Sequence, residues 1–270
     1  MIAPSTQLTY AGEAFREGWQ ILRKWPVLWL VILGAGLPSI LISRMYRLAI
    51  PSNSDPGSFA WSAEMATLSL VNGFVVLMVT AVMALWVRGC LRGALLPAKQ
   101  VLGKAGRLWC PILIFQVCLV VLGAGFAGWG QWFVKHADVD RWGFTTFVLF
   151  SFWIPVGVSQ AVRFAFWALV PGVVLAKDLR GSLRLSFEFV RRFPVLVIVL
   201  IIVDMVWGFG VCPLIGNLIT AKTFHLGLGW FDNPMVTYSV LGWTVGTLLS
   251  LTAQWFLTFV QLVSVWKRLE

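Results

Sequence analysis

Apolar residues alternate along this chain between two rhythms, and the alternation occurs three times. A short segment places apolar groups at helical spacing among basic ones, and an unbroken apolar run of membrane length follows it. In the first copy, Leu8, Ala11, Phe15, Trp19 and Leu22 recur at i, i+4 and i+7, while Glu13, Arg16, Glu17, Gln20, Arg23 and Lys24 take the other positions. That spacing predicts an amphipathic helix from about Ser5 to Trp25, lying at the membrane interface. In the second, Val101, Ala105, Leu108 and Trp109 share a face and Lys99, Lys104 and Arg107 lie off it. In the third, Leu179, Leu183, Phe187 and Val190 form one stripe and Arg180, Arg184, Glu188 and Arg191 another.

Each basic segment ends in an aromatic residue or Cys before a proline: Trp25-Pro26, Cys110-Pro111 and Phe193-Pro194. The prolines stand 85 and 83 residues apart, so the chain reads as three copies of one unit, over residues 5–97, 98–176 and 177–270. Each unit supplies an interfacial helix and a pair of spans. The expected spans begin with PVLWLVILGAGLPSILI, from Pro26, with Pro38 available to kink it. The second lies within Ala63 to Leu96, the third at about Pro111 to Phe133, and the fourth at about Phe144 to Leu169. The fifth starts at Pro194 and the sixth covers about Val236 to Val265. The expected fold class is an all-α integral membrane protein of six transmembrane helices in a single membrane domain.

Composition agrees with this reading. Hydrophobic residues make up 59% of the chain and charged residues 12%, at a mean hydropathy of +0.84. Soluble domains are roughly half apolar and a quarter charged. A span needs about 20 apolar residues, so 270 residues accommodate six spans and exclude a sizeable soluble domain. The N-terminal residues lack a basic leader, apolar core and cleavage site, so the first span is expected to serve as the insertion signal. Four cysteines (Cys90, Cys110, Cys118, Cys212) form no C-x-x-C pair and read as small core residues.

The net charge of +10 is distributed unevenly. With the N-terminal segment, the 2–3 and 4–5 connections and the C-terminus on one side, that side collects 16 of the 21 Lys and Arg. Sixteen basic against five acidic residues leave +11 there, and five against five leave zero on the other side, with Asp204 inside the bilayer. Basic residues near span ends favour the cytoplasm, so both termini are expected in the cytoplasm of a bacterium, the chain crossing its inner membrane. Membrane topology alone accounts for such an excess, and anionic inner-leaflet lipid is the partner it would attract. The basic residues sit on membrane-surface segments without a nucleic-acid-binding module, which argues against nucleic acid. Several of the 16 Trp fall near span ends, Trp25, Trp29, Trp109 and Trp266 inside and Trp61, Trp129, Trp132, Trp142 and Trp230 outside, where indoles anchor helices.

Two ionisable residues are expected within the bilayer. Arg163 is eight residues before Pro171 and Asp204 ten after Pro194, roughly 12 and 15 Å from the inner end at 1.5 Å per residue. Their matching depth suggests either a polar relay or, as the blander reading, a buried pair or neutral Asp204 that fixes helix register. Aligning ALWVRGCLRGALLP with SQAVRFAFWALVP matches Arg88 with Arg163, and Gln261 takes that place in the last unit. Arg88, Arg163, Asp204 and Gln261 thus form a candidate intramembrane cluster, although Arg88 could equally snorkel to the inner interface. His136, Asp138 and Asp140 in one outer loop, and His225 and Asp232 in another, match no metal-ligand spacing. HExxH, Walker A and GxSxG motifs are absent from the sequence, so neither catalytic residues nor a cofactor are expected.

The order from Pro171 to Pro194, with an apolar-Pro-apolar run, Lys177-Asp178, Gly181 and then L-S-F-x-F-V-R-R-F-P from Leu185, resembles a bacterial membrane domain family. That family is found N-terminal to some glycerophosphoryl diester phosphodiesterases and in uncharacterised stand-alone relatives. There a Ser-Trp pair commonly stands in place of Ser186-Phe187, and an acidic residue in place of Lys177. The resemblance implies a helical inner-membrane domain and carries over no catalytic residue, because the phosphodiesterase barrel is absent. The expected function is a non-enzymatic scaffold, lipid-contacting or partner-binding module, with Arg180, Arg184, Arg191 and Arg192 as candidate anionic-lipid contacts. The alternative is a small-molecule or lipid transporter subunit whose path runs past the intramembrane cluster.

Overall fold

A computed structural model describes residues 3–49, 59–136, 168–176, 178–207 and 234–269, with 143, 146–147, 149–150, 162 and 214. Among these residues the chain is all-helical, without a strand. The helices are α1 (Pro4–Lys24), α2 (Val27–Ala35), α3 (Leu37–Ala49), α4 (Phe59–Leu91), α5 (Ala98–Gly106), α6 (Trp109–His136), α7 (Leu169–Ala176), α8 (Leu179–Arg192), α9 (Pro194–Val206) and α10 (Pro234–Leu269).

Two stretches are long and apolar enough to cross a membrane, Ala66–Leu91 in α4 and Leu248–Leu269 in α10. Two bent pairs raise that number to four if each is one span: Pro4–Lys24 with Val27–Ile42, at 115°, and Ala98–Gly106 with Trp109–Gly125, at 58°. α9 is apolar but shorter. Most of the expected fourth span and about the last third of the fifth lie outside the described residues, and two to four candidate spans stand where six were expected. The break at Trp25-Pro26 has a local cause. Pro26 has no N–H to continue α1 and disfavours helical geometry in the residue before it; Trp25 accordingly leaves the helix at φ −126° and ψ 72°, its N–H closing α1 onto Ile21 O.

The chain divides into two compact units. The first comprises Met1–Leu41, Val82–Val101 and Phe193–Glu270. Here α1 packs on α9 and α10, α2 on α10, and α9 on α10. α1 buries Gln7, Ala11, Ala14, Gly18 and Leu22. Of these, Gln7 organises the start of α9: its Oε1 accepts the N–H groups of Val195 at 3.0 Å and Leu196 at 3.2 Å. The first N–H groups of a helix have no partner within it, and a buried one left unsatisfied is costly. The C-terminal part of α4 also belongs to this unit and ends in a tight cap. Gly93, at φ +81°, takes the left-handed conformation, its N–H reaches Cys90 O, and Ala94 N–H reaches Gly89 O. This is the double bond of a Schellman motif.

The second unit comprises Ile42–Ala81 and Leu102–Arg192. Its best-defined feature is the helical pair α7 and α8. Asp178 caps α8, its Oδ1 accepting Gly181 N–H at 2.5 Å, as short polar side chains do at helix starts. Ser182 and Ser186 are fully buried, and Ser186 Oγ accepts Ala168 N–H at 3.3 Å. A Cβ at Gly172 would stand 3.0 Å from Ser182 O, so small residues let the two helices approach. Elsewhere in this unit, Gln116 Nε2 donates to Ser69 O at 3.0 Å and ties α6 to α4.

Three expectations are corrected. Cys90 is buried, but Cys110 and Cys118 are exposed on their helix and are not core residues; Cys212 lies outside the described residues. Trp266 is almost fully buried, so its indole packs inside the protein and does not anchor at its surface. The stripe of α5 does not face outward as a unit either. Val101, Ala105 and Leu108 are buried in the protein, while Trp109 is exposed.

Candidate functional site

The basic helices are the first candidate surface. In α8 the buried positions are Ser182, Ser186 and Phe189. Phe187, the aromatic residue of the expected apolar stripe, is 53% exposed. Arg180, Arg184, Arg191 and Arg192 are exposed as well. Thus α8 turns two serines and Phe189 to its own protein and leaves Phe187 and four cations exposed. α1 does the same: Ala14 and Gly18 are buried, and Trp19 is 57% exposed beside Arg16, Arg23 and Lys24. Counted back from Pro26 and Pro194, the two helices agree at four positions. Ala14 and Ser182 fall twelve residues before the proline, Arg16 and Arg184 ten, Gly18 and Ser186 eight, and Trp19 and Phe187 seven. Each matched pair shares its burial state.

The second candidate is the polar cluster around Asp204. Asp204 is 3% exposed on the face of α9 that also buries Leu196, Val197, Leu200 and Ile201. Its opposite face leaves Ile198, Ile202 and Val206 exposed. Asp204 Oδ1 accepts the side-chain N–H of Gln254 at 2.9 Å and of Gln261 at 3.4 Å. The structure therefore joins Asp204 and Gln261 and adds Gln254, which the sequence reading missed. The signal was present, since residues 254 and 261 are seven apart and so fall on one face of a helix. Arg163 lies outside the described residues. Arg88 is at the end of α4, its guanidinium carbon 5.0 Å from the centroid of the Trp266 ring, a cation over a π-face.

A third cluster gathers where α1 meets the C-terminal end of α10. The Arg268 side chain is 7% exposed, and its guanidinium lies 4.2 Å from the Tyr10 ring centroid. It donates to Ser264 O at 2.8 Å, to Ser264 Oγ at 3.1 Å and to Tyr10 O at 3.4 Å, and stands 3.9 Å from a Glu13 oxygen. Lys267 pairs with Glu17. Among the described residues no group of three or more His, Cys, Asp or Glu is placed to hold a metal. Asp138, Asp140, His225 and Asp232 lie outside them, as does the side chain of His136.

These features define a helical protein whose apolar helices are consistent with a multi-pass membrane protein. No family model, curated protein or solved structure matches the chain.

Proposed function

We propose that this chain is a non-enzymatic inner-membrane module that holds anionic lipid against its cytoplasmic face, with α1, α5 and α8 lying at the inner leaflet. The observation that carries this reading is the orientation of α8. α8 buries Ser182 and Ser186 together with Phe189, and leaves Phe187, the aromatic residue of its basic stripe, 53% exposed. An uncovered aromatic residue flanked by Arg180, Arg184, Arg191 and Arg192 fits the boundary between acyl chains and negatively charged headgroups. The agreement of α1 and α8, counted back from their prolines, supports descent of both from one repeated unit. The six-span layout, cytoplasmic termini and relation to the membrane domain of the phosphodiesterase family belong to this same proposal.

The transporter reading needs a path past Asp204. That carboxyl is buried and engaged by two amides across α9 and α10, which supports a structural role that fixes helix register. The test is partition of the purified protein between phosphatidylglycerol-rich and phosphatidylcholine bilayers. The expected result is a preference for the anionic bilayer that weakens in salt and falls when Arg180, Arg184, Arg191 and Arg192 are all replaced by Gln, with insertion intact. An unchanged preference would leave these arginines a topological role alone.

A further inference from the structure

Within the first unit α1 packs on α9 and α10, and the groups that hold it there lie far along the chain. Gln7 Oε1 accepts N–H groups at the start of α9, 188 and 189 residues on. Arg268, 258 residues from Tyr10, donates to Tyr10 O and lies over the Tyr10 ring. A Cβ on Gly18 would stand 3.1 Å from a Val260 methyl and 3.8 Å from Val260 Cα, so at that point the two backbones are in close approach. By contrast, α1 meets its sequence neighbour α2 across a 115° bend, through an edge contact of Trp19 with Trp29. We propose that α1 is a strap, a separable helix that closes the first unit and is held by its seat on α9 and α10, not by its covalent link to α2.

In the second unit α8 is seated by the same small positions. Ser186 and Ser182, which match Gly18 and Ala14 when counted back from the prolines, meet α7 at Ala168 N–H and at Gly172. In both pairs the contacts run in opposite order along the two helices: Ser182 with Gly172 and Ser186 with Ala168, Tyr10 with Arg268 and Gly18 with Val260. The partners differ in where they lie. α8 packs on α7, which ends two residues before α8 begins, whereas α1 takes the equivalent contacts from helices at the far end of the sequence. Seating also sorts the charges of α1. Glu13 and Glu17 are half-buried and turn toward Arg268 and Lys267, while Arg16, Arg23 and Lys24 remain exposed. Partly exposed ion pairs hold little by themselves, so the close approach at Gly18, the Gln7 acceptor and the buried Arg268 carry the seat. The comparison with α8 rests on the proposed repeat; the seat does not.

The test starts from the folded full chain in neutral detergent. A protease site inserted between Trp25 and Pro26 is cut after purification, and native mass spectrometry follows the α1 fragment, which should stay bound at one per chain. Gly18→Cys with Val260→Cys should form a disulfide in the cut chain as in the uncut one, the two positions being close enough for it. Gly18→Leu drives a side chain into Val260 and should lower retention of the fragment roughly tenfold, whereas Arg16→Gln, on the exposed face, should leave it unchanged. Should the inserted site prevent folding, a circular permutant decides: the same residues opened at Pro26, with Glu270 joined to Met1 by a short flexible linker, should fold and form the same disulfide. Release of α1 on cutting, or a permutant that does not fold or does not form the disulfide between positions 18 and 260, would overturn the strap. Because lipid is left out, failure here is distinct from failure of the bilayer preference.

Discussion

Asp204 offers a direct measure of what the polar cluster does. One oxygen, Oδ1, accepts from Gln254 and Gln261, and the residue is 3% exposed. Asp204→Leu removes that acceptor, leaving the two amides to find other partners. Each stranded buried donor costs about 1–3 kcal/mol by soluble-protein measures, whereas interhelical hydrogen bonds in membranes average about 0.6 kcal/mol. Because α9 has an exposed apolar face and the amides can relax along α10, the lower range should dominate, and the expected loss is about 1–3 kcal/mol in total. Asp204→Asn keeps an oxygen in the same place and should cost under about 1 kcal/mol. The assay is reversible unfolding in mixed micelles by titration with denaturing detergent, followed by helical circular dichroism. The triple replacement of Asp204, Gln254 and Gln261 by Leu should regain much of what Asp204→Leu loses, since no donor is then stranded. An Asn variant as unstable as the Leu variant would refute this reasoning, because it would mean that the site requires a charge and not an acceptor.

Gln7→Ala should lower stability by about 1–2 kcal/mol through loss of the acceptor for two N–H groups of α9, with Gln7→Glu largely retaining it; thermal unfolding in detergent reads both. Gly93→Ala forces a side chain into the left-handed conformation at about 1–2 kcal/mol. Gly89→Ala should cost more, because its Cβ would lie 2.7 Å from Ala94 O, and both should loosen the C-terminal turn of α4, read by thiol labelling of buried Cys90. For topology, reporter fusions after Lys104 and Arg184 should register the cytoplasm and fusions after Asp138 the outside, two misplaced reporters being enough to reject six spans.

The long apolar elements were legible because their signal is length. The expected second, third and sixth spans coincide with the bodies of α4, α6 and α10, and the proline junctions fall at helix boundaries because Pro26 and Pro194 lack the N–H that a continuing helix needs. Polar contacts between helices were much less legible. Gln7 sits in a segment that reads as a surface helix, and its partners at Val195 and Leu196 are some 190 residues away. No local pattern joins them. Asp204 announced that it needed a partner, but not which one. Equal depth pointed to Arg163, whereas the donors lie on α10: Gln261, which the repeat alignment places in the cluster, and Gln254, one heptad before it and outside that alignment.

The basic helices show why the choice of face was the hardest step. Periodicity ranks the faces of a helix by hydrophobicity, and in water the most apolar face is the one a protein covers. At a bilayer that inference fails, because lipid covers an apolar face equally well and protein contact is instead decided by how closely backbones approach, which favours Gly, Ala and Ser. Ala14 and Gly18 in α1, and Ser182 and Ser186 in α8, share the buried faces with Leu22 and Phe189, while Trp19 and Phe187 are more than half exposed. α5 buries Val101 and Ala105 and exposes Leu102, Gly103 and Gly106. Its bend to the next helix is also shallower, at 58° against 115° for α1. The three basic segments share a sequence rhythm, then, but only α1 and α8 expose an aromatic residue within the helix, Trp19 and Phe187, and on the proposed reading lipid contact falls chiefly to those two.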